Sequence, residues 1–231
     1  MREMTLSVLK NKLMGVDDLY GDQLKARLEG GDWPKHAETM IGEKRLESFR
    51  YAIETVEGDG IEGDIIECGV WRGGAAVYAK AVLNSLNSLR KLYVADSFCG
   101  LPELSEMDNS IECSKVHDPL LSVQRSYVEN VFKKYELLDD HVIFVEGWFS
   151  ETLSKLSGPF AVIRMDGDLY SSTRDILVSL YPKLANGGYI LVDDYDLFSG
   201  CKIAVHEYLS QHSLRPNFER VDFTEIRWRK T

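Results

Sequence analysis

Apolar and polar positions change their rhythm near residue 60. Before that point the chain is polar, with a weak apolar stripe through Leu6, Leu9, Leu13 and Leu19 that ends at Gly30-Gly31-Asp32-Trp33-Pro34. A second helix is predicted from Ile41 to Glu57, where Leu46, Phe49, Ile53 and Val56 fall on one face, and Gly58-Asp59-Gly60 stops it. Beyond it, short continuous apolar runs alternate with helical ones. Strands are predicted at Ile65-Ile66, Leu92 to Asp96, His141 to Glu146, Phe160 to Asp166 and Tyr189 to Asp193. Between them lie helices over Ala75–Leu86 and Tyr127–Leu138, one carrying Thr173, Ile176, Leu177, Leu180 and Leu184, and one carrying Cys201, Ala204, Val205, Tyr208 and Leu209. Residues 99–120 read as a polar loop.

Uninterrupted apolar strands joined by helices describe a mostly parallel sheet covered on both faces, the doubly wound α/β arrangement. Two alternating segments close the chain, around Phe218–Phe223 and Glu225–Arg229, and read as an antiparallel pair at one sheet edge. The expected organisation is a helical N-terminal arm or lid over residues 1–60 and one α/β domain over 61–231.

Composition narrows the function. Lys and Arg total 27 against 37 Asp and Glu, a formal net charge of -10. Such a chain is a poor match for nucleic acid or an anionic membrane surface. No run of 18 apolar residues and no signal peptide is visible. Cys68, Cys99, Cys113 and Cys201 are scattered with no CxxC pair, so reduced thiols in a cytoplasmic protein are expected.

Candidate chemistry lies at strand ends. Glu67-Cys68-Gly69-Val70-Trp71-Arg72-Gly73-Gly74-Ala75 links the first strand of the sheet to its helix. Glycines there let backbone approach a ligand, and the helix start offers free N–H groups. The spacing is neither GxGxxG nor GxxxxGK[ST], which weighs against NAD and ATP. Asp96, ending the second strand, is placed to accept from ribose hydroxyls. Glu67 could bind through the turn or orient the amino-acid part of a nucleoside cofactor. Strand-end carboxylates that are only solvated caps, and glycines that only make turns, are the competing reading.

Asp166-Gly167-Asp168 follows the fourth strand and Asp193-Asp194 the fifth. In a parallel sheet both groups reach the carboxyl edge, where several carboxylates repel one another unless a cation intervenes. Hard oxygen donors suit Mg²⁺ or Mn²⁺ better than zinc. A simple turn and a solvated Asp194 are the alternative. A metal beside a nucleoside cofactor suggests a polarised hydroxyl attacking the sulfonium methyl of S-adenosylmethionine, its proton passing to a carboxylate.

These segments together resemble the macrocin O-methyltransferase family, the TylF-like sugar methyltransferases of secondary metabolism. The resemblance runs over about residues 36–210, through Thr39-Met40-Ile41-Gly42 with Arg45-Leu46, the glycine turn, Asp96-Ser97-Phe98 with Gly100-Leu101-Pro102, and Gly147-Trp148-Phe149. It continues through Arg164-Met165-Asp166-Gly167-Asp168-Leu169-Tyr170, Tyr181-Pro182-Lys183-Leu184, Asp193-Asp194-Tyr195 and Cys201 with Ala204-Val205. It implies the class I, Rossmann-like methyltransferase fold with a seven-stranded sheet, and a need for S-adenosylmethionine and Mg²⁺. It implies a glycoside or sugar acceptor and a homodimer or larger assembly. By the same resemblance Asp166, Asp193 and Asp194 are metal ligands, with Asp166 also near the cofactor, and Asp168 is the general base. Glu67, Gly69, Asp96 and Ser97 are cofactor contacts, Trp148 borders the adenine, and Met40 lies near the site. Residues before His36 match little. His206 and His141 read as helix-surface and strand-opening residues rather than catalysts. A catechol or phenol acceptor and a noncatalytic nucleoside- or partner-binding relative remain as competing functions.

Overall fold

The structure is a computed structural model that describes residues 4–114 and 118–231. Its framework is one seven-stranded sheet, in the order β3-β2-β1-β4-β5-β7-β6. The strands are β1 (Asp64–Cys68), β2 (Leu92–Asp96), β3 (Val142–Glu146), β4 (Phe160–Met165), β5 (Leu184–Val192), β6 (Glu219–Arg220) and β7 (Ile226–Arg229). β1 to β5 are parallel, and β7 runs antiparallel to both β5 and β6. The helices are α1 (Leu6–Met14), α2 (Gly21–Glu29), α3 (Gly42–Gly58), α4 (Gly74–Ser85), α5 (Arg125–Lys134), α6 (Phe149–Thr152), α7 (Tyr170–Leu180) and α8 (Ser199–Gln211).

Successive strand side chains point to opposite faces, and the core divides accordingly. Ile65, Leu92, Val94, Tyr189 and Leu191 pack with α1, α3, α4 and α5 on one face. Ile66, Ala95, Ile163, Met165, Ile190 and Val192 pack with α7 and α8 on the other. Both faces are dry, which explains why the strands read as unbroken apolar runs. Leu9, Leu13 and Met14 of α1 and Phe49, Ile53 and Val56 of α3 belong to the same core as β1 and α4.

Three sequence expectations are corrected in detail. The N-terminal stripe is two helices, because Gly15 closes α1 in the left-handed conformation (φ 61°), and α2 starts at Gly21. β5 begins at Leu184, five residues before the expected start at Tyr189. Gly187-Gly188 lies in the strand, Gly187 N–H donating to Lys230 O at 2.7 Å. A Cβ on Gly188 would lie 2.7 Å from Ala161 O, so close strand packing selects this glycine. α5 stops at Lys134, short of the expected Leu138, and Glu136 just beyond it turns left-handed (φ 57°).

The chain winds outward from β1 through β2 to β3, then returns to place β4 on the other side of β1. Ligands of open α/β sheets bind outside the carboxyl ends of strands at such a reversal. Among the described residues, no helix is long and apolar enough to cross a membrane.

Candidate active site

At the reversal the ends of β1 and β4 touch. Asp166 N–H donates to Cys68 O at 2.8 Å. Gly69 follows with φ +86°, and a Cβ on it would stand 1.7 Å from Asp166 O. Only glycine fits, both for its φ and for this backbone contact. The turn beyond is held by Asp96 at the end of β2. Its Oδ2 accepts from Val70 N–H and its Oδ1 from Phe98 N–H, each at 2.8 Å. Burial raises the Asp96 pKa, and the backbone N–H groups on Val70, Phe98 and Trp71 oppose that rise.

A cavity of about 210 Å³ opens here, with Gly69, Asp96, Ser97, Trp148 and Asp166 in its wall. Five of the seven expected cofactor contacts therefore share one hollow. Trp148 stands at its rim, 37% exposed. The other two sit outside the wall. Met40 is half-buried just ahead of α3. Glu67 is buried behind the cavity; its Oε1 accepts from Arg164 Nη1 at 2.7 Å, and its Oε2 has no hydrogen-bond partner. Ser171, Ser172 and Asp175 of the α7 start also line the cavity. The sequence offers no sign of this, because their approach depends on how α7 leaves the turn at Asp168.

One carboxylate oxygen each from Asp166, Asp168 and Asp194 lies within 4.8 Å of the others. The turn between β4 and α7 makes this possible: Asp168 adopts φ +54°, and its N–H donates to Asp194 Oδ2 at 3.0 Å. A left-handed non-glycine residue is costly backbone, of the kind that collects at functional sites. Burial, then the Asp193 charge, raises the Asp166 pKa to about 6 against the opposing pull of Arg164. Burial with Asp166 and Asp193 lifts Asp168 to about 8. Asp194 rises well above the carboxylate range, through burial and then Asp168 and Asp166. The group is short of positive charge, and its hard, convergent oxygens fit a divalent cation such as Mg²⁺.

Asp193 is placed differently. Its Oδ2 accepts from Arg45 Nη1 at 2.5 Å, and its Oδ1 pairs with Arg164 Nη2. Both of its oxygens are paired with arginines, and the carboxylate oxygens that converge are those of Asp166, Asp168 and Asp194. Arg164 also reaches Asp166 Oδ2 at 2.8 Å, and Arg45 Nε lies 3.1 Å from Asp222 Oδ2. Sequence reasoning placed both arginines in motifs but gave neither a role. A signal existed for Arg164, a full charge within the apolar run of β4 and the direct cross-strand neighbour of Glu67.

The polar loop after β2 covers this edge through two carboxylates. Asp108 Oδ1 accepts from Tyr170 N–H at the start of α7, and Glu112 Oε2 from Ser199 N–H at the start of α8, each at 2.8 Å. Negative side chains at helix N-termini satisfy free N–H groups and complement the dipole. Cys113 packs with Leu169 beside the Asp166–Asp168 turn. The two histidines lie elsewhere. His141 Nδ1 is 2.9 Å from Leu89 O, ahead of β3 at the opposite sheet edge, and His206 Nε2 is 2.7 Å from the Tyr195 hydroxyl.

Sheet order and the reversal between β1 and β4 define a Rossmann-like α/β fold with its site at the carboxyl edge. The chain superimposes on the structure of the O-methyltransferase NovP with a TM-score of 0.90 and 38% identity, covering 98% of each chain. It belongs to the macrocin O-methyltransferase (TylF) family, whose pattern matches residues 1–230. One relative is the 8-demethyl-8-(2,3-dimethoxy-alpha-L-rhamnosyl)-tetracenomycin-C 4'-O-methyltransferase of Streptomyces olivaceus, 42% identical over 89% of this chain and 80% of the relative. Another is the demethyldecarbamoylnovobiocin O-methyltransferase of Streptomyces niveus, 41% identical over 93% and 83% respectively.

Proposed function

We propose that the protein transfers the methyl group of S-adenosylmethionine to a sugar hydroxyl of an antibiotic-type glycoside, with Mg²⁺ as the required ion. The observation that carries this reading is the convergence of Asp166, Asp168 and Asp194 beside the cavity at the β1/β4 reversal. When bound, S-adenosylmethionine supplies a sulfonium methyl and Mg²⁺ polarises the attacking hydroxyl. Asp166 and Asp194 would hold the ion, while Asp193 is paired with Arg45 and Arg164. Asp96 and Ser97 receive the nucleoside and Trp148 covers it. Asp168 would take the proton that the acceptor hydroxyl gives up.

The acceptor side favours a neutral, apolar-bodied glycoside over a nucleotide-linked sugar. The loop after β2, residues 99–120, carries Glu103, Glu106, Asp108, Glu112 and Asp118 against one cation, Lys115. Met107 and Ile111 are exposed on it, Ile111 by 83%. A diphosphate would face like charge, whereas an aromatic or macrolide body would meet apolar side chains. Relatives named for tetracenomycin and novobiocin substrates agree with this.

Competition between a deoxyhexose glycoside and the matching nucleoside diphosphate sugar tests the assignment. The glycoside is expected to be methylated with kcat/KM at least about 10²-fold higher, since uncompensated like charge costs several kcal/mol. Equal use of both would remove the charge argument.

A further inference from the structure

The motif Thr39-Met40-Ile41-Gly42 and Arg72 of the glycine turn take no part in the chemistry above, yet they are joined. Gly74 N–H, the first of α4, donates to Glu38 O at 2.9 Å. A Cβ on Gly74 would lie 2.4 Å from that oxygen and 2.8 Å from Thr39 Cβ. Arg72 Nη1 donates to Ala37 O at 2.8 Å and Pro34 O at 3.2 Å. The same segment is fixed from behind, as Glu38 and Thr39 N–H groups both donate to Leu13 O. Residues 34–41 therefore form a strap tied across the start of α4.

One side chain of the strap ties it to α5. Glu38 is 7% exposed, and its two carboxylate oxygens are met separately from α5: Tyr127 OH donates to Oε2 at 2.9 Å, and Lys134 Nζ to Oε1 at 3.0 Å. Helix α5 also presses on the turn directly, where a Cβ on Gly73 would lie 2.5 Å from Val128 Cγ1. Thus α5 grips Glu38, the Glu38 backbone caps α4, and α4 begins at the turn that leaves Gly69 in the cavity wall. A buried carboxylate with two converging donors has little freedom, so it transmits the position of α5 to that turn.

We propose that Glu38 is a positioning residue for the cofactor site, holding the strap so that the Gly69–Gly74 turn is preformed before the cofactor arrives. The proposal rests on the S-adenosylmethionine reading given above. A preformed turn spares the ordering cost that binding would otherwise meet. Loosening it should weaken cofactor binding while leaving the acidic cluster on β4 and β5 unaltered.

The test is calorimetric titration of the full-length protein with S-adenosylhomocysteine, well below the unfolding temperature. Glu38→Ala should raise Kd about 10-fold, the equivalent of losing one charge-assisted hydrogen bond. Tyr127→Phe removes only the distal hydroxyl, touches neither turn nor cavity, and should raise Kd in the same direction by about 2- to 5-fold. In steady state both should raise KM for S-adenosylmethionine with kcat at saturation retained. Glu54→Ala, which breaks the partly exposed pair with Arg50 within α3, should leave Kd unchanged. A merely structural Glu38 would lower the melting temperature in both variants with Kd unmoved, and that result overturns the proposal. If Glu38→Ala does not fold, Tyr127→Phe decides alone. Failure of the native protein to bind S-adenosylhomocysteine would instead reject the cofactor reading.

Discussion

Asp168→Asn is expected to cut turnover by about 10²–10⁴-fold, the range for losing general-base help, while S-adenosylmethionine and Mg²⁺ still bind. An aliphatic hydroxyl is a very weak acid, so its oxygen cannot carry the methyl away from sulfur without an acceptor for its proton. Asn keeps the shape of the side chain and the left-handed turn, since Asn tolerates positive φ nearly as well as Asp. Asp168 N–H can still donate to Asp194. Asp166→Asn should behave differently, although only Gly167 intervenes. Asp166 Oδ2 is held by Arg164, and its other oxygen is left to the cluster. Losing that charge should lower Mg²⁺ affinity, and excess Mg²⁺ should return part of the rate. Mg²⁺ titration of activity, with cofactor affinity measured separately, distinguishes the two. Full rescue of Asp168→Asn by Mg²⁺ would make Asp168 a ligand and leave the base unassigned.

Gly69→Ala is expected to be among the most damaging single substitutions in the chain. The new Cβ would fall 1.7 Å from Asp166 O, a backbone atom that cannot rotate aside, at φ +86°. Relief requires β1 and β4 to part where the cavity and the acidic cluster meet. The cost should exceed about 4 kcal/mol, the level reached by few point mutations. At roughly 2–4 °C per kcal/mol for a domain of this size, the melting temperature falls by about 10 °C or more. Cofactor binding should be lost even where the protein remains folded. Gly58→Ala provides the contrast, because nothing lies within 4 Å of a Cβ there; it should leave stability and binding intact. Thermal unfolding with S-adenosylhomocysteine titration of both variants reads the difference. Native-like binding by Gly69→Ala would mean that the two strand ends are less tightly joined than described.

The sheet was legible in the sequence because each parallel strand is buried on both sides, which leaves Ile65-Ile66 or Tyr189-Ile190-Leu191-Val192 with no alternation to confuse. Asp96 and Asp166 followed from strand ends and Gly69 from the glycine turn, Ser97 and Trp148 only from the family resemblance, and the five share one cavity. What stayed hidden depends on partners far along the chain. Arg45 and Asp193 are 148 positions apart, and no local pattern says that an aspartate beside Asp194 faces an arginine on α3. Asp108 and Glu112 sit in a loop whose composition looks merely solvated, yet they cap α7 and α8, because capping across tertiary space leaves no periodic trace. The early start of β5 left no local trace either, because Gly188 is a close-packing glycine inside the strand, against Ala161 O.

The most direct test of the account is methyl transfer from labelled S-adenosylmethionine to a deoxyhexose glycoside bearing adjacent oxygens, run before and after EDTA and again with added Mg²⁺. The account predicts label on a sugar oxygen, loss of transfer in EDTA with the circular dichroism spectrum unchanged, and recovery with Mg²⁺. The sheet and its two cores stand apart from the acidic cluster, so removing an ion should not unfold them. Transfer at full rate in EDTA, or none to the glycoside with Mg²⁺ and cofactor both supplied, would contradict it.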